Sequence, residues 1–173
     1  MNVVIRNTKL QDSAEILKLY KAVSTIDGGI IRKESEISSD FINDFLQKSL
    51  IKGLTLVATI DEQIVGEIHA YTPDIRAFQH LLTDLTIVVA VDEHGKGIGK
   101  KLFEHFLKQV IDSYPHILRV ELFVRERNTK NVAFYEKLGF QNEGRQDRKI
   151  FKSPGAFDTP LHMVWFNPNY AEK

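Results

Sequence analysis

The segment Val89-Ala90-Val91-Asp92-Glu93-His94-Gly95-Lys96-Gly97-Ile98-Gly99-Lys100-Lys101-Leu102 holds the residue types and spacing most able to do chemistry. An apolar, β-branched run ends in a turn with glycines at alternate positions, and an amphipathic helix begins inside that turn. Such a turn lets the backbone approach a ligand closely. The new helix offers N–H groups without intrahelical acceptors, beside Lys96, Lys100 and Lys101. Together these features make a grip for a pyrophosphate. A Walker A loop is excluded, because it needs four residues between its glycines and then Lys-Ser/Thr. A dinucleotide fingerprint needs its third glycine three residues after the second, and Gly99 comes too early for that. Taken alone, the pattern also fits a flexible strand-to-helix turn.

A second segment, one strand further on, bears on that ambiguity: Asn128-Thr129-Lys130-Asn131-Val132-Ala133-Phe134-Tyr135-Glu136-Lys137-Leu138-Gly139-Phe140. The two segments together resemble the signatures of the GNAT superfamily of N-acetyltransferases: Gln/Arg-x-x-Gly-x-Gly/Ala, then an Asn followed by aromatic-Tyr-Glu-Lys-x-Gly-Phe. The resemblance covers nearly the whole chain, and it implies acetyl-CoA as co-substrate, with no metal. It places the pyrophosphate on the backbone from His94 and Gly95 through Lys96, Gly97, Ile98, Gly99 and Lys100. It pairs the pantetheine arm with the strand carrying Ile87, Val88, Val89 and Val91. Asn128 matches the position that hydrogen-bonds the cofactor, and it also suits a helix N-cap. Tyr135 matches the usual general acid, a phenol that protonates the leaving coenzyme A thiolate. One position departs from the signature. His94 stands where Gln or Arg is usual, and a histidine there introduces a group that titrates near neutrality.

The implied reaction moves an acetyl group from sulfur to an amine, which must be neutral to attack. A Lys-like amine, reference pKa ≈ 10.4, is mostly protonated at pH 7, so a base is expected. Candidates are Glu67 and His69, which face one side of their strand together, and Asp84, Glu121 and His162. The family does not fix this position in sequence, and the choice stays open. Acceptor selection is expected from the first two helices, the 27–37 segment between them (with Glu34 and Glu36) and a late 151–161 loop. The expected acceptor is a primary amine of a small molecule. A protein N-terminus or lysine, and a non-catalytic acyl-CoA-binding module, are the alternatives. Dimerisation is common among relatives, so a homodimer is one expectation.

These groups need a scaffold, and composition allows one. The 173 residues are 43% hydrophobic with eleven Phe, enough for one buried core, and 23 basic residues balance 23 acidic ones. That balance gives no reason to expect nucleic acid or a membrane surface as partner. With no cysteine, disulfides, thiolate metal sites and a Cys nucleophile are excluded. The first residues, Met1 to Arg6, lack the shape of a signal peptide, and no apolar run approaches the ~18 residues that span a bilayer. A cytoplasmic protein is expected.

Periodicity then predicts the elements. A strand at 3–5 leads through Thr8 with Gln11, or Asp12 with Glu15, into a helix with Ile16, Leu17, Leu19, Tyr20 and Val23 on one broad face. Asp27-Gly28-Gly29 breaks it, and Ser38 or Ser39 caps a second helix. Strands follow at 56–60, 63–71 and 82–91, then the glycine turn with its helix, a strand at 117–125, a helix capped by Asn128 or Thr129, and a last strand at 162–166. The expectation is one domain over residues 1–173. Its fold class is α/β (α+β), a mixed, mostly antiparallel sheet with splayed central strands and helices on both faces.

Overall fold

The computed structural model describes residues 2–26 and 28–172. Met1 and Asp27, the latter expected to help break the first helix, lie outside the described residues. The chain runs β1 (Val4–Asn7), α1 (Ser13–Ser24), α2 (Ser39–Lys52), β2 (Gly53–Ile60), β3 (Gln63–Tyr71), β4 (Leu81–Val89), α3 (Ile98–Ser113), β5 (Arg119–Arg125), α4 (Thr129–Lys137), β6 (Gln141–Arg145), β7 (Ile150–Ser153), β8 (Ala156–Asp158) and β9 (Pro160–Phe166). Seven strands form one sheet in the order β1-β2-β3-β4-β5-β9-β6, in which only β4 and β5 are parallel. This is the mixed, mostly antiparallel sheet expected from the sequence.

Local chemistry explains most of the boundaries. The Ser38 hydroxyl accepts the Phe41 N–H at 3.2 Å and starts α2. Asp61 and Glu62 both adopt positive φ, 48° and 68°, which closes the β2–β3 hairpin with a two-residue turn matched to strand twist. The capping box expected at Asp12 with Glu15 does not form. The Asp12 carboxylate instead takes the Arg6 guanidinium at 2.8 and 2.9 Å and the Lys9 N–H at 2.7 Å, and a short 3-10 turn precedes α1.

Helices cover both faces of the sheet. On one, α3 lays Ile98, Leu102, Phe103, Phe106, Leu107 and Val110 against β2, β3 and β4, with Tyr135 and Phe140 in the same cluster. On the other, α1 and α2 enclose Ile16, Tyr20, Val23, Ile42 and Phe45 over Val57 and Val88. Each fully buried aliphatic or aromatic side chain of this size contributes about 1.5–3 kcal/mol, so these helices hold firmly to the sheet.

Two expectations are corrected. The central strand ends at Val89, not Val91; Val91 lies in a 3-10 turn and is 42% exposed. The late segment 151–161 is not a loop: β7 and β8 form a separate hairpin, with the Phe151 and Phe157 rings edge-on at 5.8 Å. No helix among the described residues is long and apolar enough to cross a membrane.

Candidate active site

The parallel pair β4 and β5 stays together for only two residue pairs, Leu81 with Arg119 and Leu82 with Val120. Beyond them the strands separate. A register shift opposite His69 and Tyr71 puts an extra residue into β4, and Asp84 sits there with φ 53°. A bulge of this kind bends its strand and redirects the edge beyond it. Past the bulge, β4 keeps its bonds to β3 on one edge, as in Ala90 N–H to the Val65 carbonyl at 2.8 Å. Because successive residues present their backbone groups to opposite edges, those of Ile87 and Val89 face the gap. The strand edge therefore offers the Ile87 N–H and carbonyl and the Val89 N–H to an extended amide-bearing chain, while the Val89 carbonyl is taken by the His94 side chain.

A cavity of about 700 Å³ occupies the gap and the space beneath α1 and α2. It is reached by His69, Asp84, Ile87, Asn128 and Tyr135. Its rim is formed by Gly28–Arg32 and Glu36 from the α1–α2 segment, and by Ile150 at the start of β7 and Pro160 at the start of β9. Glu34 is not part of it. His69 belongs to the sheet face under α1 and α2, and Tyr135 to the face under α3. The gap is where the two faces communicate.

Three of the base candidates meet this cavity or support it. His69, 4% exposed, stacks on Phe45 with centroids 3.9 Å apart and planes 9° apart. Its Nδ1 lies 3.1 Å from Glu67 Oε2, and Nε2 has no hydrogen bond to any described residue. Glu67 is fully buried behind His69 and does not reach the cavity; its oxygens accept from Tyr20 Oη at 2.7 Å and Thr55 Oγ1 at 3.0 Å. Asp84 accepts the Tyr71 hydroxyl at 2.7 Å. Glu121 and His162 lie elsewhere: Glu121 pairs with Arg119 at 2.7 Å, and His162 is 3.6 Å from Glu121, both outside the cavity.

Tyr135 is 8% exposed, packs against Phe103 and Phe140, and has no hydrogen bond from its hydroxyl to a described residue. Burial pushes its phenol up to about 12, so it stays protonated at every physiological pH. Asn128 caps α4, its side-chain oxygen accepting the Asn131 N–H at 3.2 Å, and it still lines the cavity.

The glycine turn lies at the end of β4, beyond the cavity walls. Gly95 and Gly97 adopt φ 77° and 78°, and Gly97 is the residue before α3. A side chain in that left-handed region costs about 1–2 kcal/mol, so these two glycines are needed for the shape itself. No backbone N–H from Gly95 to Lys100 has a protein acceptor among the described residues. His94 Nε2 lies 2.9 Å from the Val89 carbonyl and ties the turn to the last residue of β4. Lys96 pairs with Glu93 at 3.1 Å and Lys100 lies 3.7 Å from Glu104, while Lys101 lines a separate shallow groove with His105 and Lys108. Val88 points its side chain into the α1–α2 core and its backbone pairs with Glu67 of β3, so it does not face the gap.

Tyr20 and Thr55 are the residues missed by reading the sequence for chemistry. The available signal was a tyrosine in the apolar stripe of α1, since a buried phenol hydroxyl requires a partner.

A strand-to-helix glycine turn, a split between two parallel strands and a cavity crossing that split make up the candidate site. Residues 52–142 match the acetyltransferase (GNAT) domain family. The chain belongs to that family and is an enzyme that transfers acetyl groups. It is 28% identical over 145 residues to the 5-NmdU N-acetyltransferase of Pseudomonas phage PaMx11, covering 82% of this chain and 89% of that protein. A GNAT-family acetyltransferase from Streptococcus pneumoniae is 25% identical with a TM-score of 0.78, over 95% of this chain and 99% of that one. A Salmonella typhimurium protein solved with its cofactor acetyl-CoA has the same fold, TM-score 0.85 at 16% identity, over 100% of this chain and 98% of that one.

Proposed function

We propose that this enzyme moves the acetyl group of acetyl-CoA to the primary amine of a small molecule. The observation that carries this reading is the single cavity joining His69, on one face of the sheet, to Tyr135, on the other, through the β4–β5 gap. Acetyl-CoA suits the groups present: N–H groups from Gly95 to Lys100 that are unpaired among the described residues for the pyrophosphate, and the Ile87 backbone with the Val89 N–H for the pantetheine amides, the Val89 carbonyl being taken by His94. The fold shared with the acetyl-CoA-bound Salmonella protein supports the same choice.

In this reading the acceptor enters beneath α1 and α2 as an ammonium and gives one proton to His69 Nε2; the neutral nitrogen then bonds to the acetyl carbon and releases its second proton to solvent as the amide forms. As the carbon–sulfur bond breaks, the electron pair goes to sulfur and the Tyr135 hydroxyl donates toward it. A phenol pushed up by burial to about 12 is a weaker acid than a thiol of reference pKa ≈ 8.5, so full transfer to a thiolate of that basicity is not favoured. Burial raises the thiol as well. Tyr135 therefore acts first as a hydrogen-bond donor to the developing charge, and the proton moves once the bond is broken. Asp84, engaged by Tyr71 at the cavity edge, is placed to attract an ammonium group before it is deprotonated.

A small acceptor fits a cavity walled by the 28–32 segment and by Ile150 and Pro160. The phage relative, a 5-NmdU N-acetyltransferase, is likewise not named for a protein acceptor. The test is incubation with acetyl-CoA and a panel of amino acids, polyamines, amino sugars, 5-NmdU and peptides with free N-termini. Thiol release and product mass are both followed. At least one small amine is expected to exceed every peptide in kcat/KM by about 10²-fold, the discrimination available to a site shaped for one acceptor. Acetylation of peptides alone would contradict a small-molecule acceptor.

A further inference from the structure

Glu67 is 0% exposed, and a carboxylate can remain charged in such a place only where donors fill its oxygens. No Lys or Arg reaches it among the described residues. Three other groups do: Tyr20 Oη at 2.7 Å from Oε2, Thr55 Oγ1 at 3.0 Å from Oε1, and His69 Nδ1 at 3.1 and 3.2 Å from the two oxygens. The Tyr20 proton has Glu67 as its near acceptor, since His69 Nδ1 is further away at 3.4 Å. Burial and the adjacent Glu67 charge also hold the Tyr20 phenol well above its ordinary range, so it is present as a donor. Thr55 additionally touches Thr8 Oγ1 at 2.9 Å, which ties β2 to the chain just after β1.

With both oxygens already accepting, the carboxylate meets Nδ1 as an acceptor, so Nδ1 carries the proton. A neutral imidazole protonated at Nδ1 has its lone pair at Nε2. Nε2 has no partner among the described residues, the ring borders the cavity, and the parallel Phe45 ring holds its plane. We propose that Tyr20 is a positioning residue: by donating to Glu67 it fixes His69 as the Nδ1–H tautomer, with the proton-accepting nitrogen turned to the acceptor amine. This rests on the reading of His69 as the base. Tyr20 lies in the apolar stripe of α1, so docking of α1 on the sheet and the protonation state of the base are set by one contact.

The test is nitrogen NMR of protein labelled at histidine, which distinguishes Nδ1–H from Nε2–H without turnover; the His69→Gln variant identifies the resonances among the six histidines. The wild-type protein is expected to show His69 as Nδ1–H at neutral pH. Tyr20→Phe is expected to move His69 toward the Nε2–H form and to lower kcat by about 10- to 100-fold, the usual range for a supporting hydrogen bond. KM for amine and acetyl-CoA should change less than twofold. An Nε2–H tautomer in the wild-type protein overturns the proposal, and that spectrum needs no variant to fold. So does a Tyr20→Phe protein with unchanged tautomer and kcat. Wild-type kcat in His69→Gln would instead remove the base reading, and the proposal with it.

Discussion

Tyr135→Phe is expected to lower kcat by about 10²-fold while leaving acetyl-CoA affinity unchanged, as isothermal titration and steady-state kinetics would show. The magnitude is that of one positioned proton donor lost from a transition state. The split between kcat and binding follows from the structure. The hydroxyl makes no hydrogen bond within the described protein, while the ring packs against Phe103 and Phe140 and is kept by phenylalanine. Stability should therefore stay within about 1 kcal/mol of wild type, since no buried partner is orphaned. A thioester with a more acidic thiol provides an independent signature. Its thiolate leaves without needing a donated proton, so the variant should approach wild-type rates with that substrate. An equal loss with both thioesters would show that Tyr135 shapes the site rather than assisting the leaving group.

His69→Ala is expected to cost a further large factor, about 10²- to 10³-fold in kcat/KM at pH 7, with a changed dependence on pH. A Lys-like amine is neutral in only about one molecule in 2,500 at pH 7. Without a base, the enzyme must wait for that fraction. The rate of the variant should then rise about tenfold per pH unit until the amine itself titrates near pH ~10, narrowing its gap to the wild type. A rate-against-pH series with one amine acceptor measures this. A variant that loses activity by a constant factor at every pH would assign His69 a packing role, through its stack on Phe45.

Much of this arrangement was legible in the sequence because it depends on local chemistry. The alternating glycines at 95, 97 and 99 marked the turn, and two of them, Gly95 and Gly97, do adopt positive φ. The spacing of Glu67 and His69 put both on one face of β3, and the structure brings them to 3.1 Å. The β2–β3 hairpin was marked by two strand-like runs across Asp61-Glu62. What stayed hidden depends on contacts distant in sequence. The ranking of the base candidates needed the fold: α1 and α2 cover β3 and leave Glu121 and His162 outside the cavity, with Glu121 paired to Arg119 and His162 3.6 Å from Glu121. The Tyr20–Glu67 bond spans 47 residues, and no periodicity reports it. The end of β4 was misplaced because Val91 continues the apolar run, whereas the strand stops where the His94–Val89 bond turns the chain toward α3. The 151–161 segment lacks alternation strong enough to mark β7 and β8, and its two exposed phenylalanines pair with each other instead of the core.

The most direct measurement is a crystal structure of the protein with coenzyme A. The pyrophosphate is expected on the backbone N–H groups from Gly95 to Lys100, the pantetheine amides on Ile87 and Val89, and the sulfur in the β4–β5 gap within hydrogen-bond reach of the Tyr135 hydroxyl. Coenzyme A bound away from the glycine turn, or a sulfur that Tyr135 cannot reach, would contradict transfer through the gap.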